Sequence, residues 1–231
     1  MGIAEIVSAV VQAYMEREKK KENHEQALEI IRAINHTVAA QASMIKDALL
    51  DIQLDELTGR YLGRVEYFKE YTGTNDHKVI LETISSDTND IIGILRPIYS
   101  RESHVPTVRK IVRLEILVLS LRALVMSELK HRHGDNRDIV LLGQLETQKG
   151  HCNWVVENQL ITLNNARDAF KNHKPEPGPI CLPDIVGDIS EGIPTSCNHH
   201  LWEIVMAEKN LHKEDTIERD KINDAINTIN S

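Results

Sequence analysis

TVRKIVRLEILVLSLRALVMSELK, residues Thr107 to Lys130, is the stretch that decides the fold. Between Ile111 and Met126 only Arg113, Glu115 and Arg122 are charged, and Ser120 is the one other polar residue. Ile111, Val112, Leu114, Ile116, Leu117, Val118, Leu119, Leu121, Leu124 and Val125 fall on every side of a helix. A helix that is apolar all round has to be buried in protein or in lipid. The charges interrupt this one too much for an ordinary membrane span, which needs about 20 mostly apolar residues. The stretch therefore predicts a central helix sheathed by amphipathic neighbours. A second reading stays open, that of a buried helix able to leave its sheath and enter a bilayer.

The flanking sequence supplies such neighbours. Ile3, Ile6, Val7, Val10, Val11 and Tyr14 recur at helical spacing, with Glu5, Ser8 and Gln12 off the stripe. From Gln26 to about Tyr71 a long pattern places Ile31, Ile34, Val38, Ala42, Ile45, Leu49 and Ile52 on one face. Leu54, Leu57, Tyr61, Val65 and Phe68 continue on a shifted face, and Gly59 and Gly63 predict a bend or a break there. His77 to Leu95 reads as a further helix stopped by Pro97, and Pro106 opens the central one. His131 to Asn136 closes it, with Gly134 suited to the C-cap and the histidines favourable to the helix dipole.

Downstream, Asp138 to Asn172 carries Leu141, Leu145, Gln148, Cys152, Val155, Gln159, Leu163, Ala166 and Phe170 on one stripe, with His151 and Trp154 at its edge. Composition shifts at His173. Pro175, Pro177, Pro179, Pro183 and Pro194 rule out a regular helix and predict an extended strap with Ile180, Leu182, Ile185, Val186 and Ile189 as anchors. A last helix starts near Asn198 and fades into a polar tail carrying Ile217, Ile222, Ala225, Ile226 and Ile229. The expected fold is all-α, a bundle of about six or seven helices around the central apolar one. Residues 1–172 form the bundle, 173–197 the strap and 198–231 the final helix and tail, in one domain overall.

Composition narrows the function classes. Of 231 residues, 41% are hydrophobic and only 4% aromatic, so the core is built from Ile, Leu, Val and Ala. A net charge of −8 argues against nucleic acid as a partner, which needs a concentrated cationic surface. The basic run Arg17, Lys19, Lys20, Lys21 is diluted by Glu16, Glu18 and Glu22 and reads as a solvated face. The N-terminus lacks the basic region of a secretory signal and carries Glu5, which predicts synthesis in the cytoplasm and leaves later release open.

No nucleotide-binding, zinc-protease, serine-hydrolase or calcium-loop motif occurs. Three cysteines, Cys152, Cys181 and Cys197, make no disulfide framework, although Cys181 and Cys197 are the natural pair in an oxidising compartment. Cys197-Asn198-His199-His200 with Cys181 lacks zinc spacing, and adjacent histidines point about 100° apart on a helix. Cys152 sits on an apolar stripe and reads as a structural thiol rather than a nucleophile partnered by His151. Glu115 and Arg122, seven residues apart, are expected to share a buried polar network. The expectation is a non-enzymatic protein with no catalytic residue, cofactor or metal.

Two stretches carry a family resemblance. LEILVLSLRALVMSELKH, Leu114 to His131, and HCNWVVENQL, His151 to Leu160, resemble the N-terminal helical domain of the three-domain insecticidal delta-endotoxins. There a nearly apolar central helix is ringed by long amphipathic ones, and the following helix carries a His-Cys and aromatic cluster. The likeness spans residues 30–172; the family's β-rich domains and the strap of this chain have no counterpart in each other. It implies a toxin-like pore former that inserts a helical hairpin, His77–Leu95 with Pro106–Lys130, and works on membrane lipid or a membrane receptor, as an oligomer. The alternative is a cytosolic helical module that binds another protein.

Overall fold

The computed structural model describes residues 2–19, 33, 52–72, 77–172 and 199–230. Among them are six helices and no strand: α1 (Ile3–Lys19), α2 (Ile52–Phe68), α3 (Lys78–Arg101), α4 (Val105–His133), α5 (Asp138–Asn172) and α6 (His199–Asn230). The protein is an all-α bundle with α4 at its centre. From Val108 to Leu129 every residue of α4 except Lys110 and Arg113 is buried. The strap, Cys181, Cys197 and most of the Gln26–Ile52 stripe lie outside the described residues.

Side-chain partners fix the directions. Tyr61 Oη donates to the Leu117 carbonyl at 2.8 Å and Tyr71 Oη to Glu128 at 3.1 Å, so α2 runs parallel to α4. Arg109 meets Asp215 and Arg113 meets Glu218, so α6 is parallel as well. His151 meets Glu115 while Gln144 meets Arg122, which makes α5 antiparallel. Arg122 reaches back to Ser85 and Arg96 lies beside Glu115, which makes α3 antiparallel too. The turn from α4 into α5 follows from its caps. Gly134 takes φ +67 and donates to the Lys130 carbonyl at 3.1 Å, and Asn136 Oδ1 accepts from the Asp138 N–H at 2.9 Å.

Several boundaries differ from those the sequence predicts. Helix α3 does not stop at Leu95; Pro97 lies inside it, one turn before Arg101. Proline removes one helical hydrogen bond and crowds the carbonyl four residues back. Here that residue is the exposed Gly93, while Ile94, Ile98 and Tyr99 pack on the core and hold the last turn in place. Helix α2 passes through Gly59 and Gly63 unbroken, because Leu54, Leu57, Tyr61, Val65 and Phe68 stay buried on one stripe. The polar tail expected after Leu211 is instead the second half of α6, with Ile222, Ala225 and Ile226 in the main core.

A second, smaller apolar cluster joins Leu163 and Phe170 of α5 to Val205 of α6, edged by Ala166, Leu201 and Trp202. It belongs to the end of the α5–α6 pair farthest from the α4–α5 turn.

Candidate functional site

The charged residues of α4 organise the interior. A helix buried on every side must pair any charge it carries, since an uncompensated buried charge costs several kcal/mol. Four partner sets, drawn from α1, α3, α5 and α6, do this.

At the N-terminal end Arg109 and Arg113, one turn apart, face α6. Arg109 Nε donates to both carboxylate oxygens of Asp215, at 2.9 and 3.0 Å, and its Nη2 donates to Gln159 Oε1. Gln159 in turn donates to Glu208 of α6, both to its carbonyl at 3.3 Å and to its carboxylate. Arg113 Nε donates to Glu218 at 3.1 Å, and its Nη2 lies 2.9 Å from Glu218, 3.2 Å from Glu214 and 3.8 Å from Asp215. Burial pushes the Glu218 carboxyl up to about 7, more than Arg113 brings it back down. Burial likewise raises Asp215. Burial alone would lower Arg113, but the Glu218 carboxylate beside it leaves it raised.

Two residues beyond Arg113, Glu115 is wholly buried and accepts from His151 Nδ1 at 2.8 Å. Arg96 Nε lies 3.6 Å from its other oxygen, an ion pair without a hydrogen bond. Tyr99 stacks on the His151 ring at 3.9 Å between centroids, and Trp154 meets Tyr99 edge-on at 6.2 Å. Burial, with Glu115 nearby, raises the Tyr99 phenol. Cys152 is buried beneath this group and burial pushes its thiol up, which suits packing and not nucleophilic attack.

Arg122 is handled differently. Its Nε donates to Gln144 Oε1 at 2.7 Å, and its Nη1 donates to the Ser85 carbonyl and lies 3.3 Å from both Ser85 Oγ and Thr88 Oγ1. All of these acceptors are neutral. Burial, with Arg137 nearby, lowers this guanidinium to about 10. At the C-terminal end Tyr14 and Lys130 both reach Asp138, Lys130 at 2.8 Å, tying α1 and α4 to the start of α5. Burial would raise Asp138, but the hydrogen bonds from Lys130 and Tyr14 hold it below its ordinary value.

Glu115 and Arg122 thus lie on one face but do not share a network; each has its own partners on α3 and α5. The structure places Cys152 and His151 as the sequence suggests, one buried and one at the edge. His199 and His200 open α6, and no three metal-ligating side chains converge among the described residues. Asp215 and Glu218 escaped the sequence reading. Leu211, Asp215, Glu218, Ile222, Ala225 and Ile229 follow fours and threes, so both acids fall on the buried stripe of α6, a signal hidden by the polar residues around them.

An open groove of about 370 Å³ borders the α6 cluster, lined by Gly2, Glu5, Arg113, Glu214, Ile217 and Glu218 among others. Among the described residues no helix is long and apolar enough to cross a membrane. Compared with protein families, characterised proteins and solved structures, the chain matches none.

Proposed function

We propose that the protein is a non-enzymatic, membrane-active bundle whose working part is the α3–α4 hairpin. The observation that carries this reading is the enclosure of α4 together with the two-sided character of α3. Helix α3 presents Ile80, Leu81, Ile84, Ile91, Ile92 and Leu95 to the core, and Glu82, Ser86, Asn89 and Asp90 to water. The two helices have 24 and 29 residues, roughly 36 and 44 Å at 1.5 Å per residue, against a hydrocarbon layer of about 30 Å. Only Glu102, Ser103 and His104 join them. An apolar helix tied to an amphipathic one of similar length suits a pore wall, with the polar face of α3 toward water. The resemblance to pore-forming helical domains points the same way.

The charges of α4 set a condition. A charge facing lipid at mid-bilayer costs at least about 2.5–3.5 kcal/mol, so Arg113, Glu115 and Arg122 must face water or a neighbouring copy. Insertion therefore requires an oligomer, and separation of the hairpin from α2, α5 and α6.

The test uses the Arg64–Asp87 pair, which joins α2 to α3 at 2.5 Å. In a Cys181→Ser, Cys197→Ser background, Arg64→Cys and Asp87→Cys are bridged with a bis-methanethiosulfonate crosslinker, which forms a reducible disulfide with each thiol and releases methanesulfinate. Dye release from liposomes should be lost on crosslinking and return on reduction. Release that persists with the bridge intact would remove the hairpin from the mechanism. Wild-type protein that releases no dye from anionic or neutral vesicles, at acid or alkaline pH, would end the membrane reading.

A protein-binding module is the second reading, and one observation favours it. Ile139 is 87% exposed, and Val140 and Val79 are exposed as well. They start two parallel helices, α5 and α3, at the same end of the bundle, where an apolar partner surface would fit.

A further inference from the structure

We infer that α6 is held on the central helix by a clamp that closes on protonation and loosens toward alkaline pH, because Glu214, Asp215 and Glu218 compete for the single guanidinium of Arg113. This goes beyond the membrane reading and does not depend on it.

The geometry leaves Glu218 short of positive charge. Arg109 is spent on Asp215, bidentately, and on Gln159. Among the described residues Arg113 is the cation that the remaining carboxylates share, and three carboxylate groups lie within 3.8 Å of its Nη2. Glu214 is half exposed, so water screens part of its charge, but Glu218 is 8% exposed and has no such relief. Among the described residues, the other groups that line the site with it add no positive charge. From α5 comes the buried Cys152 thiol, which lines a small pocket with Arg109, Asp215 and Glu218. Across the groove α1 brings Glu5, whose carboxylate accepts from the Gly2 N–H at 2.7 Å. A protonated Glu218 can still accept a hydrogen bond from Arg113 while ending its repulsion of Asp215 and Glu214. The groove gives water, and so protons, a path to the site.

The sign follows from linkage. Glu218 ionises at about 7 in the fold, against 4.5 when unburied. A carboxyl raised by folding adds stability that is fully present below its unfolded value and is lost as pH rises through its folded value. The window of loosening is therefore from mildly acid to mildly alkaline pH, the reverse of an ordinary acid-sensitive salt bridge. Below the clamp, Ile222, Ala225 and Ile226 cover α4, so its opening bares core surface.

Amide hydrogen exchange, corrected for the intrinsic pH dependence of the chemistry, tests this on the full-length protein. Protection of residues 214–229 should fall at least about tenfold between pH 6 and pH 9, one unit of pKa difference being a factor of ten, while Leu117–Leu124 of α4 changes less. Glu218→Gln should flatten that dependence. Glu214→Gln, at an exposed position that does not threaten folding, frees Arg113 and should carry protection to higher pH. An α6 whose protection follows the rest of the bundle at every pH overturns the inference. So does a Glu218→Gln or a Glu214→Gln protein with the wild-type pH profile.

Discussion

Arg113 and Arg122 sit nine residues apart on one helix and are accommodated in opposite ways. Arg113 is surrounded by carboxylates from α6 and is raised; Arg122 is surrounded by a carbonyl, two hydroxyls and an amide from α3 and α5, and is lowered to about 10. The first joint is ionic. Its strength depends on how the carboxylates around Arg113 are protonated. The second joint is made of neutral dipoles, of which Thr88 is hydrogen-bonded to its own helix and Gln144 to Asn89 of α3. The central helix is therefore fastened to α6 by a cluster of guanidinium and carboxylate groups, and at Arg122 to α3 and α5 by neutral dipoles, with the Arg96–Glu115 ion pair as a second joint to α3. In the proposed scheme α6 is the wall that loosens and α3 the wall that stays with α4.

The comparison is easiest to break at Asp215, whose side chain is 1% exposed. Asp215→Ala leaves Arg109 buried without a counter-charge and should destabilise the protein by about 3–5 kcal/mol in denaturant unfolding. Arg122→Met should cost less, about 1–3 kcal/mol, because it leaves only neutral acceptors partly unpaired. Equal losses for the two would erase the distinction between the seams. The smallest expected effect concerns the apolar packing next to the ionic seam. Val10, Leu119, Ala123, Ile222 and Ala225 line an apolar cavity of about 20 Å³ between α1, α4 and α6. Ala225→Val should fill part of it and raise stability by up to about 0.8 kcal/mol, the value of a buried methylene. A lower unfolding midpoint would show that the α4–α6 contact is already full.

The architecture was legible because α4 and α5 carry their signals in residue types that only burial explains. Leu117, Val118 and Leu119 in succession leave a helix no side for water. The α5 stripe from Leu141 to Phe170 keeps its phase for the whole helix. Helix ends were legible where a residue has a backbone reason to be there, as with Gly134. They were misread where packing overrides propensity, as at Pro97, where Ile98 and Tyr99 hold the turn that proline weakens. The polar ladder was half legible. Its members on α4 stand out against their apolar surroundings, but their partners do not. Ser85 and Thr88 look like ordinary surface residues until the helices are set side by side, because their pairing with Arg122 across 37 and 34 residues leaves no local pattern, while the stripe that holds Asp215 is masked by its polar neighbours.

The parallel placement of α6 against α4 has a consequence for biosynthesis. Helix α4 ends at His133 and α6 at Asn230, so 230 − 133 = 97 residues separate the completion of the central helix from that of its last wall. At roughly 5–20 residues per second of synthesis, Ile116, Leu119 and Ala123 wait on the order of 5–20 s before Ile222 and Ala225 arrive to cover them. During that interval the central helix is open on one side, a surface on which a nascent chain can aggregate or a chaperone can bind. A nascent chain stalled before residue 199 would hold that surface open for as long as the stall lasts.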